Sequence, residues 1–89
     1  MTVHLLISGF VQGIGYRQFV KKTAVGLGLV GWVKNLPDRR VEVLATGSKE
    51  NLEELIGKCK KGPFLSKVND VKADWFEKEE VFDQFSIIL

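Results

Sequence analysis

Residues 9 to 17 carry three glycines and an arginine, in the order Gly-Phe-Val-Gln-Gly-Ile-Gly-Tyr-Arg. Glycine readily adopts the positive φ angles that other residues resist, so Gly9, Gly13 and Gly15 allow a loop to curl until several backbone N–H groups point to one place. A helix that starts here adds its own unpaired N–H groups and its positive dipole end. Arg17 supplies a planar set of donors that matches two oxygens of a phosphate. The segment therefore predicts a site for a phosphoryl group.

Glycine spacing by itself leaves an alternative open, because the same residues could form a purely structural turn. Arg17 at the helix entry favours the anion site over that turn. Two nucleotide-binding loops are disfavoured by the residues present. The segment lacks the third glycine of a dinucleotide fingerprint, and no Gly-Lys-Ser/Thr follows it as in a nucleotide P-loop.

Asn35 is the second polar residue that could take part in chemistry. It follows Gly31 and Val33 in a strand-like alternation and interrupts the apolar pattern at the end of that run. An asparagine that initiates a turn explains the position equally well. The antiparallel pairing that we predict for this strand does not by itself require Asn35 to lie beside the glycine loop.

The elements that must position these residues follow from hydrophobic periodicity. Alternating apolar residues predict five strands, around residues 3–8, 29–35, 41–46, 71–75 and 85–89. Helical spacing predicts a first helix over residues 16–27, followed by Gly28. It predicts a second helix between an N-cap at Ser48 and the Gly62-Pro63 pair. The residues at 36–40 join the second and third strands in a hairpin.

This order predicts an α+β fold of the ferredoxin-like βαββαβ type. We expect a sandwich with a mostly antiparallel sheet, two helices on one face and a short extra C-terminal strand. Right-handed crossovers place the first strand beside the third at the centre of the sheet. The 89 residues suffice for one core, so residues 1–89 are expected to form a single domain.

Composition narrows the classes of partner. The net charge of +2 is too small to indicate bulk nucleic-acid binding, and no stretch is long and apolar enough to span a bilayer. Cys59 is the only cysteine and lies on the apolar face of the second predicted helix, so we expect a buried thiol with no disulfide or metal role. A cytoplasmic location is expected.

The chain resembles the acylphosphatase family over essentially its whole length. Residues 9–17 resemble the first signature of that family, and residues 27–35, Leu-Gly-Leu-Val-Gly-Trp-Val-Lys-Asn, resemble the second. The Gly62-Pro63 pair stands where the family often has it. The resemblance implies the same fold and the hydrolysis of acyl phosphates to a carboxylate and inorganic phosphate, without metal or cofactor. It also implies essential roles for Arg17 and Asn35, which favours the functional interpretation of Asn35.

The chain departs from the family pattern in the hairpin. Asp38-Arg39 stands where members often have Asp-Gly, so the residue that adopts a positive φ most easily is missing and the turn type is open. We expect this change to affect stability or substrate access more than chemistry.

A mechanism follows from the leaving group of an acyl phosphate, which is a carboxylate and needs no strong general acid. We expect backbone N–H groups and the Arg17 guanidinium to stabilise the charge on the transferred phosphoryl group. Asn35 is expected to orient the attacking water, with no side chain acting as base. The expected phosphate ligands are Gln12, Gly13, Ile14, Gly15, Tyr16 and Arg17.

Two other classes of function fit the same fold, because fold alone does not decide function. One is a non-enzymatic domain that binds an anionic ligand or regulates a larger assembly. The other is an RNA-binding module, which the mild charge and the missing stacking aromatics disfavour. The expected partners are a small acyl phosphate and inorganic phosphate, with no nucleic acid and no membrane, and the expected form is a monomer.

Overall fold

The computed structural model describes residues 1–89 and contains five strands and two helices. In chain order they are β1 (Thr2–Phe10), α1 (Tyr16–Gly26), β2 (Val30–Asn35), β3 (Val41–Thr46), α2 (Lys49–Lys61), β4 (Lys67–Phe76) and β5 (Phe85–Ile88). The strands form one sheet in the order β4-β1-β3-β2-β5, and only β2 and β5 pair in parallel. The predicted ferredoxin-like α+β fold is confirmed, with β1 beside β3 and an added C-terminal strand.

The core lies between the helices and one face of the sheet. Alternate residues of β1 and β3 point into it, as the period of two in a strand requires. The fully buried side chains of these strands and of the helices are Val3, Leu5, Ile7, Val41, Val43, Ala45, Val20, Ala24, Leu52, Leu55 and Cys59. Burying each large aliphatic side chain contributes about 1.5–3 kcal/mol, so this layer supplies most of the driving force for folding. Cys59 is a free buried thiol, as predicted.

The two helices begin in different ways. The Ser48 side chain accepts a hydrogen bond from the Asn51 N–H at 3.2 Å, so α2 has the predicted side-chain cap. No side chain caps α1, whose N-cap is Gly15 with φ 80°. The first turn of α1 therefore leaves its N–H groups free for another acceptor. Neither helix has the length and apolar character needed to span a bilayer.

The order of strands brings the C-terminal ends of β1 and β2 to the same end of the sheet. Both strands run antiparallel to β3, which lies between them, so they point in the same direction. Ile7 of β1 and Asn35 of β2 both pair with Val41 of β3. Neighbouring strands are about 4.8 Å apart, so the backbone of Asn35 lies about 10 Å from that of Ile7, three residues before β1 ends at Phe10. The topology thus answers the question that local sequence left open.

Gly9 has a different role from the one that the sequence predicts. It belongs to β1, at a bulge where the pairing with β4 shifts between Ser8 and Gly9. Its φ is 129°, and a Cβ at this position would collide with the Lys67 carbonyl of β4. Gly9 is thus required by the close approach of β4, and the loop proper begins only after Phe10.

The β2–β3 hairpin resolves the turn that its sequence left open. Arg39 takes a positive φ of 75° without being a glycine. Asp38 holds the turn, because its carboxylate accepts from the Arg40 backbone N–H at 3.1 Å and from Arg40 Nε at 2.7 Å. The backbone donor and then the Arg40 side chain lower the pKa of the Asp38 carboxyl.

Candidate active site

The loop between β1 and α1 exposes a run of unpartnered backbone donors. The N–H groups of residues 12 to 18 donate to no acceptor in the protein, and the Phe19 N–H is the first to bond, to Gly15 O at 3.0 Å. Gly13 and Gly15 have φ angles of 78° and 80°. A Cβ at either position would meet nothing within 4 Å, so backbone conformation, and not crowding, accounts for these two glycines. The donors lie at the positive end of α1, which favours an anion.

Arg17 and Asn35 line one recess with this loop. The recess has a volume of about 190 Å³, and Gly13, Gly15 and Ile87 also line it. Arg17 is half-buried and takes part in none of the four ion pairs of the structure. Its guanidinium therefore has no carboxylate to satisfy it and is available to an anionic ligand.

Asn35 carries a buried polar atom without a partner. Its Oδ1 is shielded from solvent and accepts no hydrogen bond. A buried polar group left unpaired costs about 1–3 kcal/mol, and such groups are rare in folded proteins. Asn35 lines the recess, so a water molecule bound in the recess could donate a hydrogen bond to Asn35 Oδ1.

The side chains of three predicted phosphate ligands are engaged by other parts of the protein. Gln12 Nε2 donates to the carbonyls of Leu36 and Arg40, both at 3.0 Å, and so ties the loop to the hairpin. Ile14 packs against the hydrophobic core. Tyr16 is 1% exposed, and its hydroxyl donates to the Cys59 carbonyl at 2.7 Å. These residues have only backbone N–H groups free for a ligand, and Arg17 alone among the six brings a charged side chain.

Burial keeps two potential acid–base groups protonated. It raises the pKa of the Tyr16 hydroxyl far above its usual value, and it raises the pKa of the Cys59 thiol to about 12. At neutral pH both groups are uncharged and hydrogen-bonded or packed inside the core. Neither has the ionisation state or the position of a general base.

A second and larger recess adjoins the first and was not predicted. Its volume is about 560 Å³, and it shares Arg17 and Asn35 with the smaller one. Phe10 and Arg39 line only this larger recess, whereas Ile87 lines only the smaller one. The period of two in the last strand could have indicated Ile87. The departure from the family pattern at Arg39 indicated an effect on substrate access, but no local pattern places Arg39 or Phe10 at the cleft.

Comparison with known proteins gives the family. The acylphosphatase family model matches residues 3–87. The acylphosphatase of Thermus thermophilus is 51% identical over 73 residues, which span 82% of this chain and 83% of that protein. The acylphosphatase of Koribacter versatilis is 45% identical over 86 residues, 97% of this chain and 78% of that protein. The crystal structure of acylphosphatase from Bacillus subtilis superimposes with a TM-score of 0.96 at 38% identity, over 99% of this chain and 98% of that one.

The protein has a ferredoxin-like α+β fold, and its relatives identify it as a hydrolase that acts on acid anhydrides. The chain belongs to the acylphosphatase family. Membership implies an acyl phosphate as substrate and inorganic phosphate as product.

Proposed function

We propose that this chain hydrolyses the carboxyl-phosphate bond of acyl phosphates without a metal ion. The loop N–H groups and Arg17 hold the phosphoryl group, and Asn35 positions the water. One observation carries the proposal: unpartnered donors and a buried, unpaired amide oxygen belong to residues of the same cleft. Family membership supplies the reaction, and the contacts support the assignment of roles to residues.

Phosphate binding rests on the unused donors. Phosphoryl transfer spreads negative charge over three equatorial oxygens, and the N–H groups of residues 12 to 17 can donate to them. Arg17 adds two parallel donors in the geometry that matches two phosphate oxygens. In other enzymes, removing one preorganised donor of this kind costs about 10²–10³ in kcat. The positive end of α1 adds a favourable field at the same place.

Water positioning rests on Asn35 Oδ1. A carboxamide is too weak a base to take a proton at neutral pH, so its contribution is to accept a hydrogen bond and aim the water. The water oxygen forms the new bond to phosphorus, and the bond from phosphorus to the acyl oxygen breaks. The carboxylate leaves with that electron pair, and the proton of the water passes to the phosphate and solvent. No general acid is needed, since a carboxylate is a stable leaving group.

The roles of Arg17 and Asn35 are tested by kinetics with benzoyl phosphate, followed by phosphorus NMR with a chelator present. We expect Arg17→Ala to raise KM and to lower kcat at least 100-fold by the oxyanion-donor comparison. Arg17→Lys should restore little, because a point charge does not reproduce the planar pair of donors. Asn35→Ala should lower kcat about 100-fold while inhibition by inorganic phosphate stays near normal. Lys22→Ala, which removes an exposed charge from the same helix, is the matched control.

Several outcomes would contradict the proposal. Wild-type kcat in Asn35→Ala would remove its role in water positioning. Loss of activity on chelation would contradict hydrolysis without a metal. Binding of inorganic phosphate with no turnover of any acyl phosphate would favour the non-enzymatic anion-binding alternative.

We also propose that residues 1–89 act as one acylphosphatase-like domain and as a monomer in the cytoplasm, with no nucleic-acid or membrane partner. One cluster of 16 buried residues joins both helices to the sheet, which supports a single cooperative unit. Sedimentation velocity tests the monomer directly.

A further inference from the structure

Arg39 places a second cation at the cleft. It lies in the β2–β3 hairpin, is exposed, and lines the larger recess together with Arg17 and Asn35. Its neighbour Arg40 is paired with Asp38, with Nε to Oδ2 at 2.7 Å. Arg39 takes part in none of the four ion pairs and in no side-chain hydrogen bond. Its charge therefore stabilises no other group of the fold.

The backbone at Arg39 is strained for an arginine. A φ of 75° is unfavourable for a residue with a Cβ, whereas glycine adopts it without strain. The turn itself needs only main-chain groups of this residue, because the Arg39 N–H donates to the Leu36 carbonyl at 3.1 Å. Strained backbone is concentrated at functional sites, which favours a role for the Arg39 side chain at the cleft.

The shape of the cleft indicates which part of the substrate meets Arg39. Both recesses are lined by Val11, Gly13, Arg17 and Asn35, so the phosphoryl group is assigned to this shared part. The larger recess has the volume for an acyl group and offers the Phe10 ring, which is 60% exposed. Arg39 lies in the part of the cleft that the smaller recess does not include.

We propose, on the basis of the function proposed above, that Arg39 binds a second negative charge on the acyl group. The preferred substrates are then acyl phosphates whose acyl part carries an anionic group, a carboxylate or a second phosphate. A guanidinium recognises either group with two parallel hydrogen bonds. Arg39 is thus a specificity-determining residue that contacts the substrate away from the reacting phosphorus.

The test compares 4-carboxybenzoyl phosphate with its uncharged analogue 4-carbamoylbenzoyl phosphate. The measured quantity is the ratio of their kcat/KM values, each divided by the rate constant of uncatalysed hydrolysis, because phosphoryl binding then cancels and so does the different reactivity of the two leaving groups. We expect the wild type to favour the charged substrate about fivefold at low ionic strength, the effect of one solvent-exposed ion pair. The ratio should shrink in about 0.5 M salt, where such charges are screened.

Variants separate the effect of the Arg39 side chain from that of the protein's overall charge. Arg39→Gly should bring the ratio to about one, and glycine suits the positive φ, so the turn is kept. Arg39→Lys should keep part of the ratio, because the charge remains and the planar donors do not. Lys22→Gln is the matched control, since it removes one exposed positive charge that lines neither recess and takes part in no ion pair, and it should leave the ratio unchanged.

A wild-type ratio near one would overturn the inference, and so would an undiminished ratio in Arg39→Gly. Hydrolysis of benzoyl phosphate distinguishes the two levels of proposal. If the wild type hydrolyses benzoyl phosphate but shows no preference for the charged acyl group, only the inference about Arg39 fails. If the wild type hydrolyses none of the three substrates, the proposed function fails with it.

Discussion

The Tyr16 hydroxyl joins α1 to the last turn of α2, and Tyr16→Phe tests how much this bond stabilises the fold. The last four carbonyls of a helix have no partner within it, and Cys59 O is one of these in α2. The residue four positions on is Pro63, which has no N–H to offer. The Tyr16 hydroxyl supplies the missing donor at 2.7 Å. Phenylalanine keeps the ring and removes only this donor.

The expected loss is that of one buried hydrogen bond that leaves its acceptor unpaired. Such a loss costs about 1–3 kcal/mol, and because the ring stays buried no cavity larger than a hydroxyl forms. For a domain of this size each kcal/mol lowers Tm by about 4–8 °C. Urea titration followed by the fluorescence of Trp32 and Trp75 measures the free energy of unfolding. The m-value should not change, since the surface exposed on unfolding is the same.

Ser66→Ala is the matched control for Tyr16→Phe. The Ser66 hydroxyl also donates to a carbonyl, that of Pro63 at 2.6 Å, but it lies in a half-buried loop that water reaches. We expect a loss of about 0.5 kcal/mol there. A Tyr16→Phe variant as stable as the wild type, or one that loses no more than Ser66→Ala, would refute the argument that Cys59 O depends on Tyr16.

Two further predictions concern the loop and the buried thiol. Gln12→Ala removes both hydrogen bonds between the loop and the hairpin that carries Asn35, so kcat with benzoyl phosphate should fall about tenfold. Gln84→Ala removes an exposed glutamine and should leave kcat unchanged. Equal kcat values in the two variants would show that the two Gln12 bonds do not position the site. Burial raises the pKa of Cys59 from 9.0 to about 12, so the unfolded state binds fewer protons over that range. The free energy of unfolding should therefore be unaffected by this thiol below pH 9 and fall by up to about 1.4 kcal/mol per pH unit above it. In Cys59→Ala the free energy of unfolding should fall less steeply with pH above pH 9 than in the wild type. The same slope in both proteins would contradict the raised pKa of the Cys59 thiol.

Local sequence was sufficient for most of the fold and for part of the candidate site. The alternation of apolar and polar residues in β1 to β3 and the N-cap at Ser48 predict the order of the elements. That order is compatible with only a few sheet topologies, and the observed one is among them. The positive φ angles of Gly13 and Gly15 follow from residue type alone. Local sequence left the position of Asn35 open, and the sheet topology settles it, because β1 and β2 both pair antiparallel with β3 and therefore finish at the same end of the sheet.

Contacts between distant segments could not be predicted in the same way. Gly9 is fixed by the Lys67 carbonyl of β4, and the Gln12 side chain by two carbonyls of the hairpin. Arg39 shows the same limit, because its place at the cleft depends on how the hairpin folds back towards the loop. Such side-chain directions depend on tertiary packing, on which periodicity and residue type give no information.

Both halves of the proposed site are fastened to one strand, since β1 and β2 each bond along the length of β3. Pairing with β3 fixes the distance between Asn35 and the strand that leads into the loop, and the Gln12 bonds to the hairpin hold the loop itself. We therefore expect the proposed site to be assembled whenever the sheet is folded. Substitutions that weaken the core should thus lower the fraction of folded molecules and leave KM and kcat per folded molecule unchanged.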